Sequence, residues 1–264
     1  MNKNLLVEVE NRLKLSIEDA DYLRNEIFRK TEKINELNNN LNIEIELDSF
    51  KKVVNYRLFL NLLISDISSA ILFYLNSKSK YEKIYSVRLI IVCINEGYKK
   101  IYHFTNTKKN GEIDFVNRNK SFWIKDIKGI IDCEIPELAN EFNSITDILD
   151  LFWDEKLNNF QDTRNLSIHY DFEMTKVYDE ITQILPEETF QKLIPFLDIL
   201  NKMFDLTLKL TKHLLTKSKS KNNEIREKNN QILDNMTNLI KKLNIDEDDE
   251  LFDTLEKLRK FNNL

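Results

Sequence analysis

The chain has 264 residues, 42% apolar and 31% charged, with a formal net charge of −5; this suits one large domain, or a compact domain with appendages, carrying both signs of charge on its surface. Three glycines and three prolines are too few for the turns of a sheet protein of this length, and predict long helices joined by few loops. Neither G-x-G-x-x-G nor G-x-x-x-x-G-K occurs, which excludes Rossmann and Walker nucleotide sites, and the acidic balance argues against a general nucleic-acid binder, leaving any RNA contact to local patches.

The N-terminal stretch MNKNLLVEVENRLK lacks the continuous apolar run of a signal peptide. A first helix is predicted from Ser16, whose hydroxyl is placed to cap free amides with Asp19 in the first turn, to about Leu37, where NNNLN interrupts it. A second helix over 48–77 carries LFLNLLISDISSAILFYL (58–75), the most membrane-like run in the chain. Asn61, Ser65, Asp66, Ser68 and Ser69 interrupt that run, and a charge at mid-bilayer is costly. The expectation is a buried core helix in a cytoplasmic protein without membrane contact. The third helix, over 81–105, places Ile84, Val87, Ile91, Ile94, Tyr98 and Ile101 at steps of three and four, the period of one helical face.

Residues 106–120, with Gly111, read as a loop, and a short helix is expected over 121–131. Pro136 suits the first turn of the next helix, where a missing amide proton costs nothing. The amphipathic ITDILDLFWDEKLNNF then leads into DTRNLSIHYD (162–171). Asp171 is a predicted N-cap for a helix over 172–184, and Pro186 starts another that runs to about Thr216, with Pro195 a candidate kink. Beyond an expected break at KSKSKNN, Ile225, Ile232, Met236, Leu239 and Leu243 fall at coiled-coil core positions, with Asn229 at the polar one. Packing of this tail against the body is the expectation, with an independent coiled coil as the alternative. The acidic IDEDDE (245–250) precedes a short terminal helix. The resulting expectation is an all-α chain with an N-terminal helical extension (1–47), a helical bundle (48–216) and a C-terminal helical tail (217–264).

Cys93 and Cys133 form no C-x-x-C pair, and in apolar surroundings they read as buried, reduced thiols. The local basic candidates are KSKYEK (78–83), TKK (107–109) and KHLLTKSKSK (212–221), each of which also reads as an ordinary solvated face. No H-E-x-x-H occurs, and His103, His169 and His213 have no histidine or cysteine at ligand spacing, so no metal or cofactor is expected. His103 and His213 read as ordinary surface or helix-end residues.

What remains is Arg164, Asn165 and His169, followed by Tyr170 and Asp171. Residues 165 and 169 are four apart and share a helical face, whereas 164 and 169 diverge by about 140° on a regular helix. A helix break close to His169 would let both point into one cleft. A guanidinium holds a phosphate bidentately, and an imidazole titrates near neutrality and moves a proton. Together they are minimal equipment for attack by an RNA 2′-OH on its own phosphate. In the competing, purely structural assignment Arg164 pairs with Asp162 or Asp171, and His169 caps a helix or lies in the core.

RNLSIHYD resembles the R-x4–6-H signature of the HEPN superfamily, with a polar residue directly after the arginine. The resemblance implies a HEPN-like helical bundle with extra N- and C-terminal helices, and an activity of the metal-independent endoribonuclease type found in defence, abortive-infection and toxin–antitoxin systems. It implies catalytic roles for Arg164 and His169, with Asn165 orienting them. Tyr170, Asp171 and Glu96, the last on the third helix, are secondary candidates. The implied partners are an RNA substrate, a second copy of the chain, and an antitoxin or defence-system protein. In HEPN proteins paired with nucleotidyltransferase antitoxins, a modified tyrosine lies two places after the histidine. Here that position is Asp171 and the tyrosine is Tyr170, so regulation by that route is not implied. A non-enzymatic HEPN-like interaction module is the alternative, favoured by the negative charge and the heptad-like tail.

Overall fold

A computed structural model of the chain describes residues 3–41, 48–102, 118–153, 173–242 and 256–257. Every regular element among the described residues is a helix, so the chain is all-α. The helices are α1 (Lys3–Leu41), α2 (Asp48–Asn76), α3 (Lys80–Tyr102), α4 (Lys128–Glu134), α5 (Ala139–Phe152), α6 (Met174–Thr182) and α7 (Pro186–Lys242). A π-helical turn, Phe122–Ile127, leads into α4, and a 3-10 turn, Pro136–Leu138, leads into α5. The chain divides into two compact units, Met1–Thr211 and Lys212–Leu264.

The first unit is built around four helices whose side-chain pairs fix their directions. Phe73 meets Tyr85 and Leu63 lies against Gly97, so α2 and α3 are antiparallel. Tyr98 and Tyr102 reach the carbonyls of Leu149 and Thr146, so α3 and α5 are antiparallel too. α7 runs against both α2 (Tyr74–Phe190 and Arg57–Phe204) and α5 (Phe152–Phe196 and Glu141–Lys209). The result is an up-down-up-down bundle with α1 packed on α2.

The predicted face of α3 is the buried one: Ile84, Val87, Ile91, Ile94, Tyr98 and Ile101 are all in the core. α2 buries Val53, Leu60, Ile67 and Ala70 among others. By length and composition α2 is also the one described helix apolar enough to cross a membrane; here it contributes a large buried face to the bundle. Its polar interruptions have uses: Asn61 and Arg57 bind Asp19 of α1, at 2.6 Å from Asn61 Nδ2 and 2.7 and 2.8 Å from Arg57 Nη2. Arg57 is buried and its guanidinium carbon lies 5.1 Å from the Phe204 ring centre. A paired, ring-stacked arginine is how a charge is accommodated in such an interface. The pair makes α1 a member of the first unit.

Several predicted boundaries move. α1 begins at Lys3, and Ser16 lies in its interior with its hydroxyl donating to the Arg12 carbonyl at 2.9 Å. Val9, Ser16 and Leu23 are buried among its described side chains, seven apart, so the small serine sits on the buried face and caps nothing. The helix after residue 171 starts at Met174, with Glu173 at the N-cap position making no side-chain cap bond; Asp171 lies outside the described residues. α7 passes through Pro195 and through KSKSKNN to Lys242. Lysine, serine and asparagine cost only tenths of a kcal/mol each in a helix, and no glycine or further proline is present to stop it. In the second unit Ile232 is exposed and Leu233 is buried, so at that position the buried residue lies one place after the predicted one; the side chains of Ile225, Asn229, Met236, Leu239 and Leu243 lie outside the described residues. Cys133 is exposed rather than buried, and Cys93 is half-buried.

Candidate functional site

The residues of the R-N-x3-H motif, Arg164, Asn165 and His169, and the secondary candidates Tyr170 and Asp171 lie outside the described residues, as does His103. The structure does describe the helices on either side and what holds them. On the N-terminal side, α5 ends at Phe152 with Trp153 at its C-cap, both buried. Trp153 stacks on Tyr98 at 5.3 Å between ring centres, and Phe152 stacks on Phe196 at 5.4 Å. On the C-terminal side, Val177 of α6 is buried, and the Tyr178 hydroxyl lies 3.1 Å from that of Tyr81. Both flanks are thus seated on α3, one near its C-terminal end and one at its N-terminal end. Seventeen residues separate Tyr81 from Tyr98, about 25 Å along a helix.

The C-terminal end of α3 is closed by polar bonds within an aromatic cluster. Tyr98 donates to the Leu149 carbonyl at 3.0 Å and Tyr102 to the Thr146 carbonyl at 3.3 Å. Trp123 Nε1 donates to Thr146 Oγ1 at 3.0 Å, and its ring stacks on Phe142 at 4.6 Å. The π-helical turn that delivers Trp123 is capped by Ser121, whose Oγ accepts from the Ile124 amide at 3.2 Å. Arg118 binds Asp150 at 2.5 Å and lies over the Tyr102 ring. Burial raises the Tyr102 hydroxyl far above its ordinary range. It also raises the Asp150 carboxyl, against the opposing pull of the Arg118 guanidinium. With its charge matched by Asp150 and its face on Tyr102, Arg118 is committed to this cluster and is not an open anion-binding group.

Glu96 is on α3, largely exposed, with Lys99 Nζ at 3.8 Å. Its neighbour Asn95 is fully buried: Nδ2 donates to the Ile91 carbonyl at 2.9 Å, and Oδ1 has no partner among the described residues. His213 is partly buried in the interior of α7 rather than at a helix end. Among the described residues no three His, Cys, Asp or Glu side chains come together as a metal site.

The N-terminal end of α3 carries a feature that sequence reasoning missed. Tyr81, Tyr85, Phe73 and Tyr178 are 63%, 50%, 45% and 56% exposed, and they are neighbours in the fold. Phe73 meets Tyr85 edge-on at 6.0 Å, Tyr85 is one turn from Tyr81, and Tyr81 meets Tyr178. The lysines of KSKYEK flank this row. The one available sequence signal was Tyr81 inside that basic stretch with Tyr85 four residues on, just past its end; Phe73 and Tyr178 join only through the fold.

No family model, curated protein or solved structure matches this chain.

Proposed function

We propose that the chain is a metal-independent, HEPN-like endoribonuclease that cleaves RNA by 2′-OH attack. The observation that carries this reading is the motif itself, Arg164-Asn165-x3-His169, in an all-α chain whose flanking helices are anchored on one bundle helix. In this reading the His169 imidazole assists proton movement at the 2′-OH and the leaving 5′-oxygen. Arg164 stabilises the charge that builds on the pentavalent phosphate, and Asn165 orients the pair. Tyr170, Asp171 and Glu96 are secondary candidates that would steady the imidazole. A cytoplasmic homodimer, bringing two motifs to one cleft and held in check by an antitoxin or defence-system partner, is the setting this reading implies.

The test is incubation of the purified chain with total RNA in EDTA. Cleavage that leaves 2′,3′-cyclic phosphate ends, and that Arg164→Ala and His169→Ala abolish, is expected. Cleavage that persists in both variants would remove the assignment. A second reading, a helical module that binds without cleaving, is favoured by the net charge of −5. It predicts intact RNA and alanine variants that are less stable than the parent.

A further inference from the structure

We propose that the exposed aromatic row at the α2–α3 turn, with its lysines, is a platform for single-stranded RNA; this rests on the ribonuclease reading for its substrate but on different residues. Large apolar side chains left half-exposed and in mutual contact are unusual on a soluble surface, and mark a contact site. Here Phe73, Tyr85, Tyr81 and Tyr178 form one run, continued by Met174 one turn before Tyr178. None of the four rings is held in the core, and all four are largely exposed, as a stacking surface requires.

The charge around the row selects the occupant. Lys78, Lys80 and Lys83 are all exposed, and none of them forms an ion pair among the described residues. The acidic residue within the same stretch, Glu82, is turned back into the chain. Its carboxylate accepts from the amides of Lys78 at 2.6 Å and Ser79 at 2.8 Å, while Ser79 Oγ accepts from the Glu82 amide at 3.2 Å. This reciprocal capping box fixes the turn and directs the Glu82 carboxylate at backbone amides rather than at the lysine ammonium groups. On the α6 side the carboxylates near the row are Asp179, beside Tyr178, and Glu173, beside Met174.

Three exposed ammonium groups without an ion pair among the described residues, in the same stretch as exposed aromatic rings, match a strand with phosphates on one side and unstacked bases on the other. A duplex, whose bases are stacked internally, offers the rings nothing. An apolar protein partner would use the rings and leave the lysines idle. The row is also joined to α6, the first described helix after the motif, so RNA held on it lies on an element directly continuous with the cleavage segment.

The experiment uses the full chain carrying His169→Ala, so that RNA stays intact, and a labelled single-stranded 12-nucleotide RNA of mixed sequence read by fluorescence anisotropy in EDTA. Tyr81→Ala/Tyr85→Ala is expected to weaken binding at least tenfold, while Tyr81→Phe/Tyr85→Phe stays within twofold because the rings are kept. Lys78→Ala/Lys80→Ala/Lys83→Ala is expected to reduce the slope of log affinity against log salt by about 2. Binding unaffected by the aromatic double variant, equal affinity for a duplex, or no binding at all overturns the proposal. So does loss of self-association in that variant with RNA binding intact, which would assign the row to a second copy of the chain. Cleavage by the unsubstituted chain is read separately. Cleavage with an unmoved KM in the tyrosine variant sinks the platform alone; RNA bound through the row but never cut sinks the ribonuclease reading alone.

Discussion

The two ends of α3 use the same residue type in opposite ways. At the C-terminal end Tyr98 and Tyr102 are buried, their rings packed on Trp153 and on each other, and their hydroxyls bonded to carbonyls of α5. At the N-terminal end Tyr81 and Tyr85 are largely exposed, and the Tyr81 hydroxyl meets another exposed tyrosine. A buried tyrosine stabilises the fold through area and a satisfied hydroxyl. An exposed one contributes little to stability and is available for a ligand. The difference separates the part of α3 that builds the bundle from the part offered to solvent.

That contrast predicts a graded series of effects. Tyr98→Ala removes a buried ring from the cluster and should cost about 3–5 kcal/mol in urea denaturation. Asp19→Ala leaves the buried Arg57 without its carboxylate, at about 3 kcal/mol, and should loosen α1, read as faster amide exchange in α1 than in α3. Gly97→Ala puts a methyl 2.6 and 2.7 Å from the Leu63 Cδ atoms. Leu63 must shift, which outweighs the better helix propensity of alanine and leaves a net loss of about 1 kcal/mol. Tyr81→Ala, at the other end of the same helix, should stay within about 0.5 kcal/mol. A loss at Tyr81 comparable to that at Tyr98 would erase the distinction.

The smallest effect concerns the thiols. Burial pushes the Cys93 thiol from 9.0 up to about 11, so at pH 8 iodoacetamide should label exposed Cys133 first, as read by peptide mass spectrometry. The sign of the linked stability follows. Below pH 9 the Cys93 thiol is neutral folded and unfolded, and contributes no pH dependence. Between pH 9 and about 11 only the unfolded chain ionises there, so stability falls as pH rises through that window.

The bundle's inner faces were legible in the sequence because burial on one side of a helix enforces a period. The face of α3 could be read residue by residue, and the polar interruptions in 58–75 identified α2 as a core helix. What failed were inferences from single residue types. Ser16 looked like a cap because it precedes a charged first turn, but it lies between Val9 and Leu23 in a buried seam of period seven. KSKSKNN looked like a break because it is polar, though polarity alone does not stop a helix. A heptad counted from Ile225 places Ile232 in the seam, whereas the buried residue there is Leu233. The tyrosine row was invisible for a different reason. Its members come from α2, α3 and α6, and only the fold brings Tyr178 to Tyr81.

The most direct test runs three full-length proteins side by side on one short single-stranded RNA in EDTA: the unsubstituted chain, His169→Ala, and Tyr81→Ala/Tyr85→Ala. The account predicts that the first cleaves to a 2′,3′-cyclic phosphate, and that His169→Ala binds without cleaving. The tyrosine variant should cleave with KM raised at least tenfold and kcat within twofold. Cleavage by His169→Ala at the parent rate, or binding lost in His169→Ala and retained in the tyrosine variant, would contradict it.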